Sequence, residues 1–233
     1  MPCRIIRSSM LKRILKETKV SSQENPHILN MGILKSANKQ GTSNQIEVEK
    51  DHYFVHLSFQ EYFAARYLKN SLNGTQSEKT IKFIKHQKYN QRFTLMFTFV
   101  AGLLNDSDDE LYSTVFWSHL LGEPLDLVGI RHLQLVTLCL EETNRESTFP
   151  QRAQLLQWIA QLIRHNFSIN EKIIRRHLLE SLQTSQSVAC DRTIQNALIT
   201  SLQDNIVRKS KKQHSLSFSI CRFQIHRSHS SNQ

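Results

Sequence analysis

The stretch that decides the fold is Tyr53-Phe-Val-His-Leu-Ser-Phe-Gln-Glu-Tyr-Phe-Ala-Ala-Arg-Tyr-Leu68. Its first three residues are apolar and predict a short strand at 53–55, and a polar junction then leads into a helix. Ser58 and Glu61 have the S-x-x-E spacing of a capping box, in which each side chain satisfies a free backbone N–H at a helix start. The stretch therefore predicts a strand that runs directly into a helix capped by Ser58.

His56 lies two residues before this predicted cap. The free N–H groups and the dipole of a helix N-terminus favour an anion, so a histidine held there could contact a phosphate. The alternative is that His56 simply ends the strand. For an arbitrary sequence, that second interpretation is the favoured one.

Two further segments extend the pattern on either side of this stretch. They are Gly32-Ile-Leu-Lys-Ser36 upstream and Phe97-Thr-Phe-Val-Ala-Gly-Leu-Leu104 downstream. Together with 53–68 they resemble the winged-helix region, and the helix after it, of NACHT-type (STAND) NTPases, the signalling ATPases that include animal NOD-like receptors. The resemblance covers about residues 27–145 and is strongest at 53–68.

This resemblance implies a role for one residue and a partner for the chain. In that family the histidine at the position of His56 contacts the terminal phosphate of bound ADP and so reports the nucleotide state. Gln60 and Glu61 also match the motif, and we expect them to serve in capping and packing, as we expect of Ser58. The implied partner is an upstream NACHT NTPase domain, which would hold ADP or ATP with Mg²⁺.

The chain itself lacks the loop that binds phosphates in such enzymes. A P-loop uses glycines, which let backbone N–H groups cradle phosphates, and a lysine that neutralises charge. None of the six glycines precedes a lysine, and no G-x-x-x-x-G-K-[ST] motif occurs. No apolar strand ends in paired carboxylates that would hold magnesium. We therefore expect no catalytic residue, no enzyme activity and no cofactor held by this chain alone.

The net charge of +10 is concentrated at the two ends of the 233-residue chain. Residues 1–20 contribute +5 and residues 208–233 contribute +6, which leaves residues 21–207 at −1. A nearly neutral middle does not predict a basic face for nucleic acid. A helix at 58–70 would offer DNA only Arg66 and Lys69, too few cations to follow a phosphate backbone. We therefore expect no nucleic-acid partner.

The composition indicates a cytoplasmic protein without membrane spans. The mean hydropathy is −0.42, and no apolar run approaches the roughly 20 residues that cross a bilayer. The four cysteines are scattered without C-x-x-C pairing, as is usual in a reducing compartment.

The basic segment 1–20 has two interpretations. Ile5 and Ile6, together with Met10, Ile14 and Leu15, form a helical stripe among the bases. Such a segment could be a mitochondrial presequence, but it has few serines and as many lysines as arginines. A first helix that packs on the winged-helix module is the favoured interpretation.

Beyond residue 75 the apolar residues repeat at helical spacing throughout. Ser181-Leu-Gln183 recurs as Ser201-Leu-Gln203, a spacing of about one helix plus a turn. HEAT-like paired-helix repeats and an irregular helical bundle fit this pattern equally well. We predict a mainly α fold with a winged-helix-like α+β module at 1–72, a helical domain at 75–207 and a basic disordered tail at 208–233. The predicted core stripes contain Phe93, Met96, Phe97, Val100 and Leu104; Leu111, Val115 and Phe116; Leu133, Val136 and Leu140; Leu155, Ile159, Leu162 and Ile163; Ile174, Leu178, Leu179 and Leu182; and Ile194, Leu198, Leu202 and Ile206.

Two further sets of residues have the right types for chemistry but lack the right setting. Cys221, His226 and His229 are possible zinc ligands, yet a fourth ligand and a folded frame are missing, so no metal site is predicted. Cys139 is of a residue type that can act as a nucleophile. It lies between two leucines in an apolar helix, however, where a small buried residue is expected.

Two functions follow from these patterns. The first is the regulatory carboxy-terminal portion of a NACHT-like nucleotide-dependent signalling switch, which would sense nucleotide in the upstream domain through His56 and relay it through helical packing. The alternative is a helical scaffold that binds protein partners through its surface, without dependence on nucleotide.

Overall fold

The structure is a computed structural model, which describes residues 5–17, 32–37, 50–106, 110–126, 129–143, 151–169 and 172–207. Within these ranges the chain forms three short strands and ten α-helices. The predicted fold class, a mainly α protein with a small α+β module ahead of packed helices, is confirmed. The predicted tail at 208–233 lies outside the described residues.

A small antiparallel sheet lies in the amino-terminal part of the protein. Its strands are β1 at Ile5–Ile6, β2 at Leu34–Ser36 and β3 at His52–Phe54, with β3 in the centre. Tyr53 of β3 lies opposite both Ile5 and Lys35. The strand predicted at 53–55 is therefore confirmed, although it begins and ends one residue earlier.

The expectation that Ile5 and Ile6 belong to the first helix is wrong. Both residues form the edge strand β1, and helix α1 begins only afterwards, at Ser8–Glu17. Isoleucine is favoured in strands because its branched side chain packs well on a pleated surface. The Ser8 N–H donates to the carboxylate of Asp51 at 2.9 Å. This carboxylate, next to β3, therefore satisfies a free backbone N–H at the start of α1 and interacts favourably with the helix dipole.

Nine further helices follow β3 in chain order. They are α2 (Leu57–Asn70), α3 (Ser77–Gln87), α4 (Thr94–Asn105), α5 (Glu110–Leu121), α6 (Ile130–Glu141), α7 (Gln151–Ser168), α8 (Lys172–Gln183), α9 (Gln186–Ala189) and α10 (192–207). Gly74 and Gly129 lie in two of the connections, with φ of 90° and 76°. This left-handed region is strained for residues that carry a Cβ, so glycine suits both turns.

The even-numbered helices α2, α4, α6 and α8 form a row in which each packs against the next. Away from this row, α3 packs against α5, and α7 packs against α8. This order is typical of stacked helix pairs, in which each pair contacts mainly its neighbours. The predicted domain boundary between 72 and 75 stays a prediction, and α2 makes its main contact with α4 on the far side of it.

One hydrophobic core extends from α2 to α10. Each fully buried large apolar side chain in it contributes about 1.5–3 kcal/mol through removal from water. Three of the predicted stripes are largely confirmed, because their buried members are Met96, Phe97, Val100 and Leu104 in α4; Leu133, Val136 and Leu140 in α6; and Leu155, Ile159 and Ile163 in α7.

Three other predicted core stripes fail in part. In α8, Leu178 and Leu182 are buried, but Leu179 is exposed. In α10, Ile194 is buried, but Leu202 and Ile206 are 52% and 68% exposed. In α5, Leu111 is 70% exposed although Phe116 is fully buried. The helical period identifies an apolar face correctly, but it does not reveal how far along the helix a neighbour covers that face.

Candidate functional site

The chain passes from strand to helix at His56. Strand β3 ends at Phe54, and the N–H of the next residue, Val55, donates to the Ile33 carbonyl at 2.9 Å. His56 is then extended, with φ of −126° and ψ of 139°, and is the N-cap residue of α2. The N–H of Phe59 donates to the His56 carbonyl at 3.2 Å and closes the first turn. The central strand of the sheet therefore positions His56 directly at the helix N-terminus.

The side chain of His56 is exposed and makes no capping hydrogen bond to its helix. Its ring lies against the ring of Phe59, with the centroids 6.0 Å apart and the planes tilted by 60°. An imidazole can donate or accept a hydrogen bond, and the N–H groups of a helix N-terminus favour an anion beside it. The geometry is thus compatible with a phosphate contact at His56.

The capping box predicted for Ser58 and Glu61 does not form at the helix start. A capping box needs its serine at the N-cap, in a non-helical conformation, and His56 holds that position. Because α2 begins at Leu57, Ser58 is its second residue and Glu61 lies in its second turn. The strand ends one residue earlier than the apolar pattern predicts, and the N-cap lies two residues earlier, at His56 instead of Ser58.

An exposed aromatic stripe continues along α2 from His56. It consists of Phe59, Phe63 and Tyr67, at i, i+4 spacing, which are 38%, 41% and 69% exposed, and we refer to these three residues as the aromatic face. Beside it, Tyr62 packs edge-on against Phe99 of α4 at a centroid distance of 5.9 Å. A contiguous exposed apolar surface is one feature of sites that bind another protein.

The structure brings together the three segments on which the family resemblance rests. The segment 32–36 supplies β2, which pairs with β3 at the start of 53–68. The segment 97–104 lies in α4, which packs against α2. Segments separated by up to about 70 residues in sequence are therefore neighbours around the strand-to-helix junction.

Of the two cations predicted on α2, one is used inside the fold. The ammonium of Lys69 donates to the Leu103 carbonyl of α4 at 2.9 Å. Arg66 is exposed. A helix that follows a phosphate backbone needs several free cations, so α2 offers little to nucleic acid.

A second polar cluster, around Lys88, was not found from the sequence. Lys88 is 1% exposed, and its ammonium donates to the Leu120 carbonyl at 3.0 Å and to the Gly122 carbonyl. These carbonyls lie at the carboxyl end of α5, where helical carbonyls lack partners. Next to it, the Tyr89 hydroxyl lies 2.9 Å from Nδ1 of His132. A lysine followed by a tyrosine carries no sequence signal for burial, because both residue types are usually exposed at least in part.

Burial shifts the ionisation of this cluster. It lowers the pKa of Lys88 from 10.5 to about 8, an effect that Glu123 opposes and Lys85 reinforces. Burial also lowers the pKa of His132, with a further contribution from the charge of Lys88. The bonds of Lys88 to two carbonyls at a helix end, and the bond between His132 and Tyr89, account for the burial of these polar side chains. The cluster therefore holds α3, α5 and α6 together, and nothing in it requires a catalytic role.

The remaining sequence candidates do not form a site among the described residues. Cys139 is fully buried, as expected, and burial raises the pKa of its thiol, which opposes formation of the nucleophilic thiolate. Cys221, His226 and His229 lie outside the described part of the chain. Within that part, no three His, Cys, Asp or Glu side chains are grouped closely enough to hold a metal ion.

Comparison with protein-family models, with curated proteins and with solved structures finds no match to this chain. Across the described segments, no helix has the length and apolar character that a membrane crossing requires.

Proposed function

We propose that this chain is the regulatory carboxy-terminal portion of a NACHT-like nucleotide-dependent switch, in which His56 contacts the terminal phosphate of ADP held by an upstream NTPase domain. The observation that carries the proposal is the position of His56. Its exposed ring stands at the N-cap of α2 and makes no capping bond of its own, so it is available to a ligand outside the chain. The resemblance of 53–68 to the family motif indicates that this ligand is the terminal phosphate of ADP.

The aromatic face supports the same assignment. It begins with Phe59, whose ring contacts His56, and continues over two further turns of α2. A domain that brought a phosphate to His56 would cover these side chains, and removal of their apolar surface from water would favour the docked state.

The row of helices from α2 to α8 offers a route for the signal. Because α2, α4, α6 and α8 pack in sequence, a shift of α2 on docking changes the contact that α4 makes next. ADP would favour the docked arrangement through its contact with His56, and its loss would shift the population towards the open arrangement. The nucleotide and its Mg²⁺ belong to the upstream domain, in the cytoplasm, and this chain contributes the sensing residue.

The test uses the chain joined to its NTPase domain and loaded with fluorescent ADP. His56→Ala is expected to speed ADP release by about ten- to 150-fold, the effect of losing one hydrogen bond to a charged group. His86→Ala is the matched control, because His86 is also exposed but lies on α3. Equal release rates for wild type and His56→Ala would refute the phosphate contact.

The aromatic face by itself favours a second candidate, a protein-binding scaffold that does not respond to nucleotide. In that case, substitution of Phe59 and Phe63 by serine weakens partner binding, whereas exchange of ADP for ATP leaves binding unchanged. Under the switch proposal, the same double substitution also speeds ADP release. The two functions therefore differ in whether the aromatic face and the nucleotide are coupled.

A further inference from the structure

We propose that a groove along α8 binds an acidic, leucine-containing peptide segment of a partner protein. The groove consists of two adjoining pockets of about 330 and 420 Å³, which share Glu180 as a lining residue. The first lies between α6 and α8, and the second runs along α8 itself. The proposal is independent of the function assigned to His56, because other helices carry it.

Cations from two helices line this groove. Arg131 of α6 lines the first pocket, and Lys172, Arg175 and Arg176 of α8 line the second. Lys172 and Arg176 are exposed, and neither forms an ion pair with any described residue. Since residues 21–207 as a whole carry a net charge of −1, this concentration of positive charge is local.

Arg175 is held in place for recognition. Its guanidinium lies over the ring of Phe167 from α7, with 4.8 Å between the guanidinium carbon and the ring centroid. Stacking on an aromatic ring restricts the rotamers of an arginine and fixes the place of its positive charge in the groove. Less conformational entropy is then lost when an anion binds.

The groove has more positive than negative side chains among its described residues. Among the described residues that line the two pockets, Glu180 is the one acid, and its carboxylate lies 3.0 Å from Nδ1 of His177. Arg131, Lys172, Arg175 and Arg176 line the same two pockets, so positive charge exceeds negative charge among the described lining residues. An incoming carboxylate would be attracted to them.

The apolar lining distinguishes a peptide from a nucleic acid. Leu138 lines the first pocket and Leu179, which is 38% exposed, lines the second. Apolar side chains next to arginines match a segment that alternates leucine and glutamate. A phosphate backbone gains nothing from the leucines and would lie against the carboxylate of Glu180, and α8 spans only about 18 Å.

The experiment measures fluorescence anisotropy with the full chain at about 0.15 M salt. The probe is a fluorescein-labelled peptide of alternating glutamate and leucine. Two further probes serve for comparison. One is the same peptide with lysine in place of glutamate, which reverses its charge, and the other is labelled oligo-dT, which represents nucleic acid. Wild type is expected to bind the acidic peptide and to bind the lysine peptide far more weakly. Lys172→Gln with Arg176→Gln is expected to weaken binding of the acidic peptide by about five- to thirtyfold.

The matched control is Lys79→Gln with Lys82→Gln, which removes two exposed positive charges from α3. Binding of the acidic peptide by this variant is expected to stay within about twofold of wild type. Because all four substituted lysines and arginines are exposed, both variants are expected to keep the wild-type circular dichroism spectrum. Equal loss in the two variants, or no binding by wild type, would overturn the proposal. Tighter binding of oligo-dT than of the acidic peptide, lost in the α8 variant, would assign the groove to nucleic acid instead.

Discussion

The hydroxyl of Tyr89 lies 2.9 Å from Nδ1 of His132, and this hydrogen bond connects the segment after α3 to α6. The His132 ring also packs edge-on against Trp158 of α7, with the centroids 5.6 Å apart. One buried histidine therefore contacts side chains from two other parts of the fold. The state of its ring is expected to affect the stability of the helical core.

Stability is expected to fall as the pH drops below about 6.5. Burial lowers the pKa of His132 in the folded protein, so below the ordinary histidine pKa the unfolded chain binds a proton that the folded chain does not. The unfolding free energy from urea titrations at about pH 7.5 and about pH 5.5 measures this slope. His132→Gln is expected to reduce it.

In the His132→Gln variant, part of the dependence of the unfolding free energy on pH is expected to remain, because burial also lowers the pKa of His119. His165→Gln, at an exposed position of α7, is the control and should leave the slope as in wild type. If His132→Gln and wild type had the same slope, His132 would not be the group that senses acid.

Lys88→Met is expected to destabilise the protein by about 1–3 kcal/mol at neutral pH. The change removes the donor that satisfies the Leu120 and Gly122 carbonyls at the end of α5. Lys82→Met, at an exposed position of α3, should change the unfolding free energy by less than about 0.5 kcal/mol.

The lowered pKa of Lys88 also predicts that the unfolding free energy depends on pH in the alkaline range. Because its folded pKa is about 8 and its unfolded value is 10.5, the unfolded chain holds a proton between these values that the folded protein has released, so stability should rise with pH in this range. Urea titrations across this range should show the rise in wild type and in Lys82→Met. Persistence of the full rise in Lys88→Met would contradict the assignment.

Two glycines are expected to respond to alanine in opposite directions. Gly129 has a φ of 76° at the N-cap of α6, so Gly129→Ala should cost about 1 kcal/mol through backbone strain although its Cβ would have open space. Gly102 is helical, and a Cβ there would meet Glu142 at an ordinary 3.4 Å, so Gly102→Ala should stabilise by about 0.5–1 kcal/mol. Thermal unfolding of the two variants gives both signs in one experiment.

Two isoleucines of α10 test where the core ends. Ile194 is fully buried, so Ile194→Ala should cost about 2–5 kcal/mol, whereas Ile206, 68% exposed, should lose less than about 0.5 kcal/mol on the same change. Denaturant midpoints for the pair measure the difference. A large loss in Ile206→Ala would show that another surface covers the end of α10.

Periodicity and local spacing predicted much of this protein. The strand before His56 and the helix after it follow from an apolar run and a polar junction, which are properties of neighbouring residues. The core faces of α4, α6 and α7 follow from the helical period for the same reason. The exact cap of α2 was not predictable from local sequence. It depends on where β3 stops pairing with β2, and the residues that pair there, such as Val55 and Ile33, are distant in sequence.

The sequence by itself determined the mainly α fold, the strand-to-helix junction and the presence of a histidine there. Tertiary structure alone decided that Lys88 is buried, since the two carbonyls that accept its protons lie more than 30 residues away, at the end of α5. It also decided that the apolar stripe of α10 is covered at Ile194 and open at Ile206. A sequence pattern specifies which side of a helix is apolar, but only the neighbouring helices determine whether that side is removed from water.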